Sequence, residues 1–360
     1  MDCSSLPSLE LAEWTAELLE PLKGQRFPLA ATFELTDRCN LKCVHCYINQ
    51  PAGSILHRTN ELTTEQVKQV LDKMVDAGTL FVTLTGGEAL LRQDFPEIYM
   101  HAKKRGLLMT VFTNGTLITE EIADLFAAYP PVAVELTMYG ATRGTYEKVT
   151  NSPITYDRAM RGVKMLADRG IKLVLKAFVL TINRHEFLQI AAMAEEIGAG
   201  FRSDATIWPR LDGSREALKY QLPLDELVDF EHSTPEKLSE WVTLAKMNGK
   251  MVRGDHLFNC GAGQHSYHVD SLGRVSVCLA VRNPMYDLKE LSFEEAWRLL
   301  GEQTSRKRQH TSVCSTCAVG NLCDLCPGWS QHVHGDDESL VESVCKLGYK
   351  RLERLQPHLV

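Results

Sequence analysis

The eleven cysteines of this 360-residue chain are the residues whose type and spacing point most directly to chemistry. Three of them lie in the segment ELTDRCNLKCVHCYINQ, residues 34–50, as Cys39, Cys43 and Cys46 with the spacing C-x3-C-x2-C. Cysteine thiolates bind zinc ions and iron–sulfur clusters. Because a closed tetrahedral site needs four ligands, this loop predicts a metal site that lacks one protein ligand.

Two kinds of metal site fit this loop. Zinc would take His45 as the nearest fourth ligand, although a side chain between two ligand cysteines is badly placed to reach the same ion. An iron–sulfur cluster would instead hold three irons on the cysteines and leave one iron open. An open metal position is typical of catalytic sites, so the second arrangement predicts an enzyme.

The composition is that of a globular protein, with 44% hydrophobic and 24% charged residues, and the length suits one large domain and a smaller one. The net charge of −7 and the lack of a basic block predict no nucleic-acid partner. The sequence has no apolar run of about 18 residues and no signal peptide, so we expect no membrane association and a cytoplasmic location. Metal or redox chemistry then explains the cysteines better than disulfide bonds do.

Predicted strands and helices alternate along the first part of the chain. The predicted strands are residues 30–36, 80–88, 107–115, 131–140, 171–181 and 201–209. The predicted helices are residues 63–78, 95–106, 119–129, 155–170 and 185–200. This alternation predicts a parallel α/β sheet with right-handed crossovers. Short strands are predicted at residues 266–270 and 274–278, around a turn at residues 271–273.

Three polar motifs directly follow predicted strands. They are the first cysteine loop, Gly86-Gly87-Glu88 and Thr113-Asn114-Gly115. In parallel α/β sheets the functional residues gather where the strands end. We therefore expect the three motifs to share one rim of the sheet.

The loop C-x3-C-x2-C, followed by the aromatic Tyr47, resembles the signature of the radical S-adenosylmethionine (SAM) enzymes, and the resemblance covers nearly the whole chain. It implies a partial (β/α)6 TIM-like barrel, with Tyr47 at the SAM site. In that family the amino and carboxylate groups of SAM chelate the open iron of a [4Fe–4S] cluster. Reductive cleavage of SAM yields a 5′-deoxyadenosyl radical that abstracts hydrogen from a substrate. The resemblance thus implies that SAM supplies the missing ligand.

The sequence TGGE resembles the GGE motif of that family. Gly86 and Gly87 would allow the backbone to approach the methionine part of SAM, and Glu88 would accept hydrogen bonds from its ammonium group. Relatives usually carry proline after the glutamate, where this chain has Ala89.

Other positions implied by the resemblance follow later strands. Thr137 matches a hydroxyl that relatives place on the SAM ribose, and Asn114 matches a polar residue near SAM. Lys176 would bind the SAM carboxylate, unless it is an edge lysine that extends to solvent, and Arg143 is the other candidate for that role. Many relatives have aspartate at the position of Tyr139.

Seven cysteines cluster near the C-terminus and resemble the SPASM region of peptide-modifying radical SAM enzymes. They are Cys260, Cys278, Cys314, Cys317, Cys323, Cys326 and Cys345. Gly273 lies between Cys260 and Cys278, as the pattern requires. The chain departs from the pattern once, with two residues instead of three between Cys323 and Cys326. Without the upstream motifs, the C-x2-C pairs would favour structural zinc.

The resemblance implies two auxiliary [4Fe–4S] clusters in this region, and therefore three clusters and about twelve irons in total. One would be held by Cys314, Cys317, Cys323 and Cys345, and the other by Cys260, Cys278 and Cys326. The second cluster would be open to substrate or would be completed by His265 or His268. Cys3 is expected to be a free thiol, with a ligand role as the alternative.

These expectations divide the chain into five parts. They are an N-terminal extension (1–28), a radical SAM core (29–215), a helical connection (216–258), a small cysteine-rich SPASM domain (259–348) and a C-terminal tail (349–360).

The predicted function is peptide or protein modification by a radical SAM/SPASM enzyme. Relatives that mature sulfatases carry an acid after the cysteine that matches Cys278, where this chain has Leu279, so that activity is disfavoured. Tyr139, Asp204 and Arg210 are the candidate catalytic residues because of their positions near the ends of predicted strands.

The partners predicted with this function are a peptide, a flavodoxin- or ferredoxin-type electron donor and a separate carrier protein that presents the peptide. A carrier is expected because too few residues precede the first strand for a winged-helix leader-binding module. The alternatives are a radical SAM enzyme for a small molecule or cofactor precursor, and a non-catalytic iron–sulfur or zinc scaffold.

Overall fold

The structure is a computed structural model that describes residues 17, 20–22, 24–48, 50–247, 256–309 and 313–359. The strands are β1 (Ala30–Thr36), β2 (Arg38–Cys39), β3 (Gln50–Pro51), β4 (Phe81–Gly86), β5 (Leu108–Thr113), β6 (Ala133–Thr137), β7 (Leu173–Phe178), β8 (Gly200–Asp204), β9 (Ser266–Val269), β10 (Arg274–Ser276) and β11 (Tyr286–Asp287). The helices are α1 (Ile55–Asn60), α2 (Thr64–Asp76), α3 (Phe95–Lys104), α4 (Glu120–Ala128), α5 (Arg143–Thr150), α6 (Tyr156–Asp168), α7 (Phe187–Glu196), α8 (Leu224–Glu231), α9 (Pro235–Lys246), α10 (Phe293–Thr304), α11 (Pro327–His334) and α12 (Glu342–Leu355).

Six parallel strands, in the order β1-β4-β5-β6-β7-β8, form the partial barrel that the sequence predicts. Side chains alternate between the two faces of each strand. One row packs against the helices as a hydrophobic core, for example Phe33, Leu84 and Val111. The other row, which includes Glu135 and Lys176, faces the interior of the barrel, where their side chains contact each other. The predicted fold class is therefore confirmed.

The helices between these strands form where the sequence predicts them. Helix α2 shows why: Thr63 and Gln66 form a reciprocal capping box at its start, and Gly78 follows its end with a φ of +98°. The short helices α1 and α5 were not predicted. Within the described ranges, no helix is both long and apolar enough to cross a membrane.

The C-terminal strands extend the barrel sheet instead of forming a sheet of their own. Strand β9 pairs in parallel with β1, and β10 and β11 continue outward in antiparallel pairings. The predicted short strands and their turn are present, with Gly273 at φ +82°. The cysteine-rich region is thus joined to the barrel through hydrogen bonds along β1.

Several predicted boundaries differ from the observed elements. Strand β8 ends at Asp204, five residues before the predicted end, because the Asp204 carboxylate accepts the Thr206 N–H at 2.8 Å and starts a turn. Helix α12 runs through the boundary predicted at residue 348. The connection predicted over residues 216–258 contains α8 and α9, and its residues 248–255 lie outside the described part of the chain.

Candidate active site

The end of β4 packs directly against the chain that enters the first cysteine loop. The Gly87 N–H donates to the Thr36 carbonyl at 2.7 Å, and the Glu88 N–H donates to the Arg38 carbonyl at 3.0 Å. A β-carbon on Gly86 would lie 2.0 Å from the Thr36 oxygen, and one on Gly87 would lie 2.4 Å from the Arg38 oxygen. These two positions therefore require glycine for contacts within the protein, a reason that sequence reasoning missed.

The other side of the loop is fixed to the end of α5. The Lys42 N–H donates to the Thr150 carbonyl and the Val44 N–H donates to the Val149 carbonyl, both at 3.0 Å. The sheet and α5 therefore hold the loop from two sides, and the positions of its cysteines are set by the fold.

The three thiols of the loop share one buried space. The Asn114 amide donates to the Cys39 sulfur at 3.7 Å, and the Leu41 N–H donates to it at 3.4 Å. Burial raises the pKa of Cys39 to about 12, and burial and the neighbouring charges of Cys46 and Cys39 raise the pKa of Cys43 well above its usual value. Three neighbouring thiols, one buried and two partly buried, repel one another when ionised, and a strongly positive group among them would offset that repulsion. The donor set therefore fits a cluster of iron ions.

His45 does not join these thiols as a fourth ligand. Its ring packs between Tyr139 and Phe178, with centroid distances of 5.4 and 5.1 Å, and burial lowers its pKa to about 4. Across the described ranges, no three His, Cys, Asp or Glu side chains are arranged to hold a single metal ion. The packing of His45 thus argues against the zinc site that would use it as the fourth ligand.

Glu88 joins the ends of β4 and β5. Its carboxylate accepts hydrogen bonds from the Leu90 N–H (3.1 Å), the Thr113 hydroxyl (2.8 Å) and the Asn114 N–H (2.7 Å). Burial outweighs these bonds and raises the pKa of Glu88 to about 7. The structure thus places Glu88 and Asn114 beside the cysteine loop, whereas their contact with SAM stays a prediction.

Lys176 lies inside the barrel and does not extend to solvent. Its Nζ is 3.3 Å from the centre of the Phe112 ring and 3.6 Å from a carboxylate oxygen of Glu135, and it pairs in register with Thr137. Burial lowers its pKa to about 8. The other candidate, Arg143, is half-exposed and donates to Asp157 at 2.6 Å on the outer helices.

A cavity of about 520 Å³ lies between the barrel rim and the C-terminal region. It is bounded by the ends of β1 and β9, the chain that follows β8, and α11. Its charged and polar lining includes Glu34, Asp212, Asp270, Arg274, Arg282 and His332. Groups from both parts of the molecule thus converge on one space.

The three predicted catalytic residues do not line this cavity. Tyr139 is half-buried and hydrogen-bonded to the Cys43 sulfur, so it supports the cysteine loop. Asp204 caps a turn at the sheet edge, and Arg210 lines a smaller cavity of about 260 Å³ beside Lys42. The structure thus places these three candidates away from the 520 Å³ cavity, and their catalytic role stays a prediction.

Sequence reasoning also missed Glu34, a charged residue inside the otherwise buried strand β1. Its carboxylate accepts the Tyr47 hydroxyl at 2.9 Å and a guanidinium N–H of Arg282 at 2.7 Å, and the His268 Nε2 lies 3.5 Å away. The available signal in the sequence was a carboxylate between hydrophobic residues of the strand predicted at residues 30–36. The same contacts show that His268, a candidate cluster ligand, faces the barrel.

Four C-terminal cysteines surround a second cavity, of about 290 Å³. They are Cys314, Cys317, Cys323 and Cys345, the set predicted to hold one cluster. The Tyr349 hydroxyl lies 3.9 Å from the Cys317 sulfur at its edge.

The remaining C-terminal cysteines are also neighbours. Cys278 interacts electrostatically with Cys326 and Cys260, and burial raises the pKa of Cys278 to about 11. Cys326 stands at the start of α11, where the Gly328 and Trp329 N–H groups donate to its sulfur.

The two other ligand candidates stay predictions. The His265 carbonyl accepts the Ala30 N–H at 2.9 Å beside β1, and Cys3 lies outside the described residues.

Comparison with known proteins adds to this geometry. The sequence model of the radical SAM superfamily matches residues 33–194. The AdoMet-dependent heme synthase of Nitratidesulfovibrio vulgaris is 25% identical over 343 residues, which cover 89% of this chain and 92% of that protein. The mycofactocin maturase MftC of Mycobacterium tuberculosis is 27% identical over 324 residues, which cover 84% and 78%.

Among solved structures, SuiB of Streptococcus suis bound to S-adenosylmethionine matches with a TM-score of 0.66 and 16% identity, over 91% of this chain and 79% of SuiB. SuiB was also solved with its precursor peptide SuiA. At this identity the likeness concerns the fold.

Proposed function

We propose that this chain, a radical SAM enzyme with a cysteine-rich SPASM region, modifies a peptide or protein substrate. The observation that carries the proposal is the 520 Å³ cavity between the barrel rim and the C-terminal region. Its volume falls within the range of small-ligand pockets, about 300–1,000 Å³. Its charged and polar lining suits the amides and side chains of a peptide segment.

The first cysteine loop would hold the cluster that binds SAM. Cys39, Cys43 and Cys46 would ligate three irons, and the protein offers no fourth cysteine in this loop. When bound, the cluster and SAM together supply a 5′-deoxyadenosyl radical that abstracts hydrogen from the substrate. The protein binds these groups, orients them and excludes water.

The side chains around the loop would bind the parts of SAM. Glu88 would accept the ammonium group, Thr137 would contact the ribose, and Tyr47 and Asn114 would contact SAM beside the loop. Lys176 would bind the carboxylate with its ammonium group, since it lies inside the barrel beside Thr137. Arg143 is the weaker candidate because Asp157 already occupies its guanidinium.

The C-terminal cysteines would hold two auxiliary [4Fe–4S] clusters. The cavity lined by Cys314, Cys317, Cys323 and Cys345 supports the first, and the proximity of Cys260, Cys278 and Cys326 supports the second. Anaerobically reconstituted protein should then contain about twelve irons. A content of about four irons with stoichiometric zinc would refute the auxiliary clusters.

A second candidate function is modification of a small molecule or cofactor precursor. The heme synthase of Nitratidesulfovibrio vulgaris favours it, since that relative aligns over most of both chains. The charged side chains in the lining of the 520 Å³ cavity can pair with the polar groups of a peptide, and for that reason the peptide is the first candidate.

Substrate-dependent turnover separates the two functions. Anaerobic enzyme with SAM and dithionite would be given a precursor peptide encoded beside its gene or an iron porphyrin, and 5′-deoxyadenosine and mass shifts would be measured. The peptide should raise 5′-deoxyadenosine and change in mass, whereas a response to the porphyrin alone would overturn the peptide proposal. Adding a candidate carrier protein, and replacing dithionite by flavodoxin or ferredoxin, tests the proposed partners in the same assay.

A further inference from the structure

Glu34 is a nearly inaccessible carboxylate, with 1% of its surface exposed, that three separate segments contact. Tyr47, one residue after the last cysteine of the first loop, donates its hydroxyl at 2.9 Å. Arg282, in the C-terminal region, donates at 2.7 Å, and His268 of β9 lies 3.5 Å away. Glu34 therefore connects the first cysteine loop with the cysteine-rich region.

Arg282 extends this connection toward the C-terminal cysteines. Its Nε donates to the Leu279 carbonyl at 3.0 Å, directly after Cys278. Its backbone N–H donates to the Gln331 side chain at 3.2 Å, on the helix that begins after Cys326. One arginine thus contacts the segments that carry two cysteines of the second group.

The contacts of Glu34 are strong enough to fix positions. Burial alone would raise the pKa of Glu34, but the adjacent His268 and Arg282 outweigh burial and lower it to about 2. A buried carboxylate is stable only when it is paired, and removal of one partner leaves an uncompensated charge. The Tyr47 hydroxyl donates to this held carboxylate, which restricts the orientation of its ring.

We infer that Arg282 is a positioning residue for SAM: through Glu34 it orients Tyr47 beside the first cysteine loop, so that the C-terminal region helps to set SAM affinity. The inference rests on the proposed function, in which Tyr47 contacts SAM. Removal of a supporting group outside the direct ligands weakens binding about 10- to 100-fold at comparable sites.

The test measures the Kd of radiolabelled SAM by anaerobic equilibrium dialysis on the reconstituted full chain. Arg282→Gln should raise this Kd about tenfold, and Arg282→Lys should recover part of the loss because it keeps the charge facing Glu34. Tyr47→Phe should also raise the Kd while leaving the ion pair intact. Arg169→Gln, which breaks a pair with Glu120 and Asp124 outside the barrel, is the matched control and should bind SAM like the wild type.

Each outcome either supports or overturns the positioning role of Arg282. If Arg282→Gln does not fold, Tyr47→Phe takes its place, and an unchanged Kd in the folded variant overturns the inference. A variant that melts at a lower temperature could still bind SAM with an unchanged Kd, measured well below that melting temperature. This result would show a purely structural role for Arg282 and would also overturn the inference. If the wild type itself does not bind SAM, the proposed function fails, which is distinct from a failure of the positioning role.

Discussion

The two cysteine regions of this protein are built in different ways. Backbone hydrogen bonds from β4 and α5 hold the first loop from both sides, and its thiols are packed among barrel residues. The four cysteines of the C-terminal set line a cavity of about 290 Å³. We therefore expect the barrel to hold the first site in place without its cluster, whereas the order of the C-terminal set would depend on a bound cluster.

The largest expected effect is a loss of order around the C-terminal cysteines when ligands of their cluster are removed. Replacing Cys317 and Cys323 by alanine should remove about four of twelve irons and increase amide exchange over residues 313–355. The strands β1 and β4–β8 should keep their protection, because metal binding contributes folding energy only where the ligands lie. Iron analysis and hydrogen-exchange mass spectrometry measure both effects. Equal loss of protection in both regions would show that the two sites are not built differently.

The glycines of the first region provide the next test. Gly87→Ala brings a β-carbon within 2.4 Å of the Arg38 oxygen and should destabilise the protein by about 1–3 kcal/mol. Gly53→Ala, whose β-carbon would meet nothing within 4 Å, is the matched control. Thermal unfolding of the two variants compares them. Equal melting temperatures would contradict the packing of β4 against the loop.

A smaller effect, on SAM affinity, is expected from a change in pH. Lys176 has a pKa lowered to about 8 by burial, so it is cationic below that pH and loses its charge as the pH rises through it. SAM affinity should therefore fall above about pH 8, by about tenfold if one charged hydrogen bond is lost. Lys176→Arg should move the decline to higher pH, and Lys176→Met should weaken binding at all pH values. Profiles that coincide for all three proteins would exclude Lys176 from the carboxylate site.

The smallest effect on SAM affinity is expected when Arg143 is replaced. Its ion pair with Asp157 is exposed, and exposed pairs contribute about 0–1 kcal/mol. Arg143→Gln should therefore change SAM affinity by about fivefold or less. A loss as large as that of Lys176→Met, measured by the same dialysis, would assign the SAM carboxylate to Arg143 instead.

Local signals in the sequence predicted the barrel and the placement of its first site. The cap at Thr63 and the motifs after the first three predicted strands all stand where expected. Contacts between distant segments could not be predicted: Glu34 and Arg282 are 248 positions apart, and nothing local indicates that β9 pairs with β1. The end of β8 was also predicted too late, since an aspartate-initiated turn ends the strand at Asp204, and the catalytic role of Tyr139, Asp204 and Arg210 stays a prediction.

The central claim is that the first cysteine loop directs SAM cleavage, and 5′-deoxyadenosine formation tests it most directly. Reconstituted wild type and the Cys39→Ala/Cys43→Ala/Cys46→Ala variant would be incubated anaerobically with SAM, dithionite and the precursor peptide. The account predicts 5′-deoxyadenosine from the wild type and only background from the variant, which should keep about eight irons in the auxiliary clusters. Background levels from a wild type with its full iron load, or equal amounts from both proteins, would contradict it.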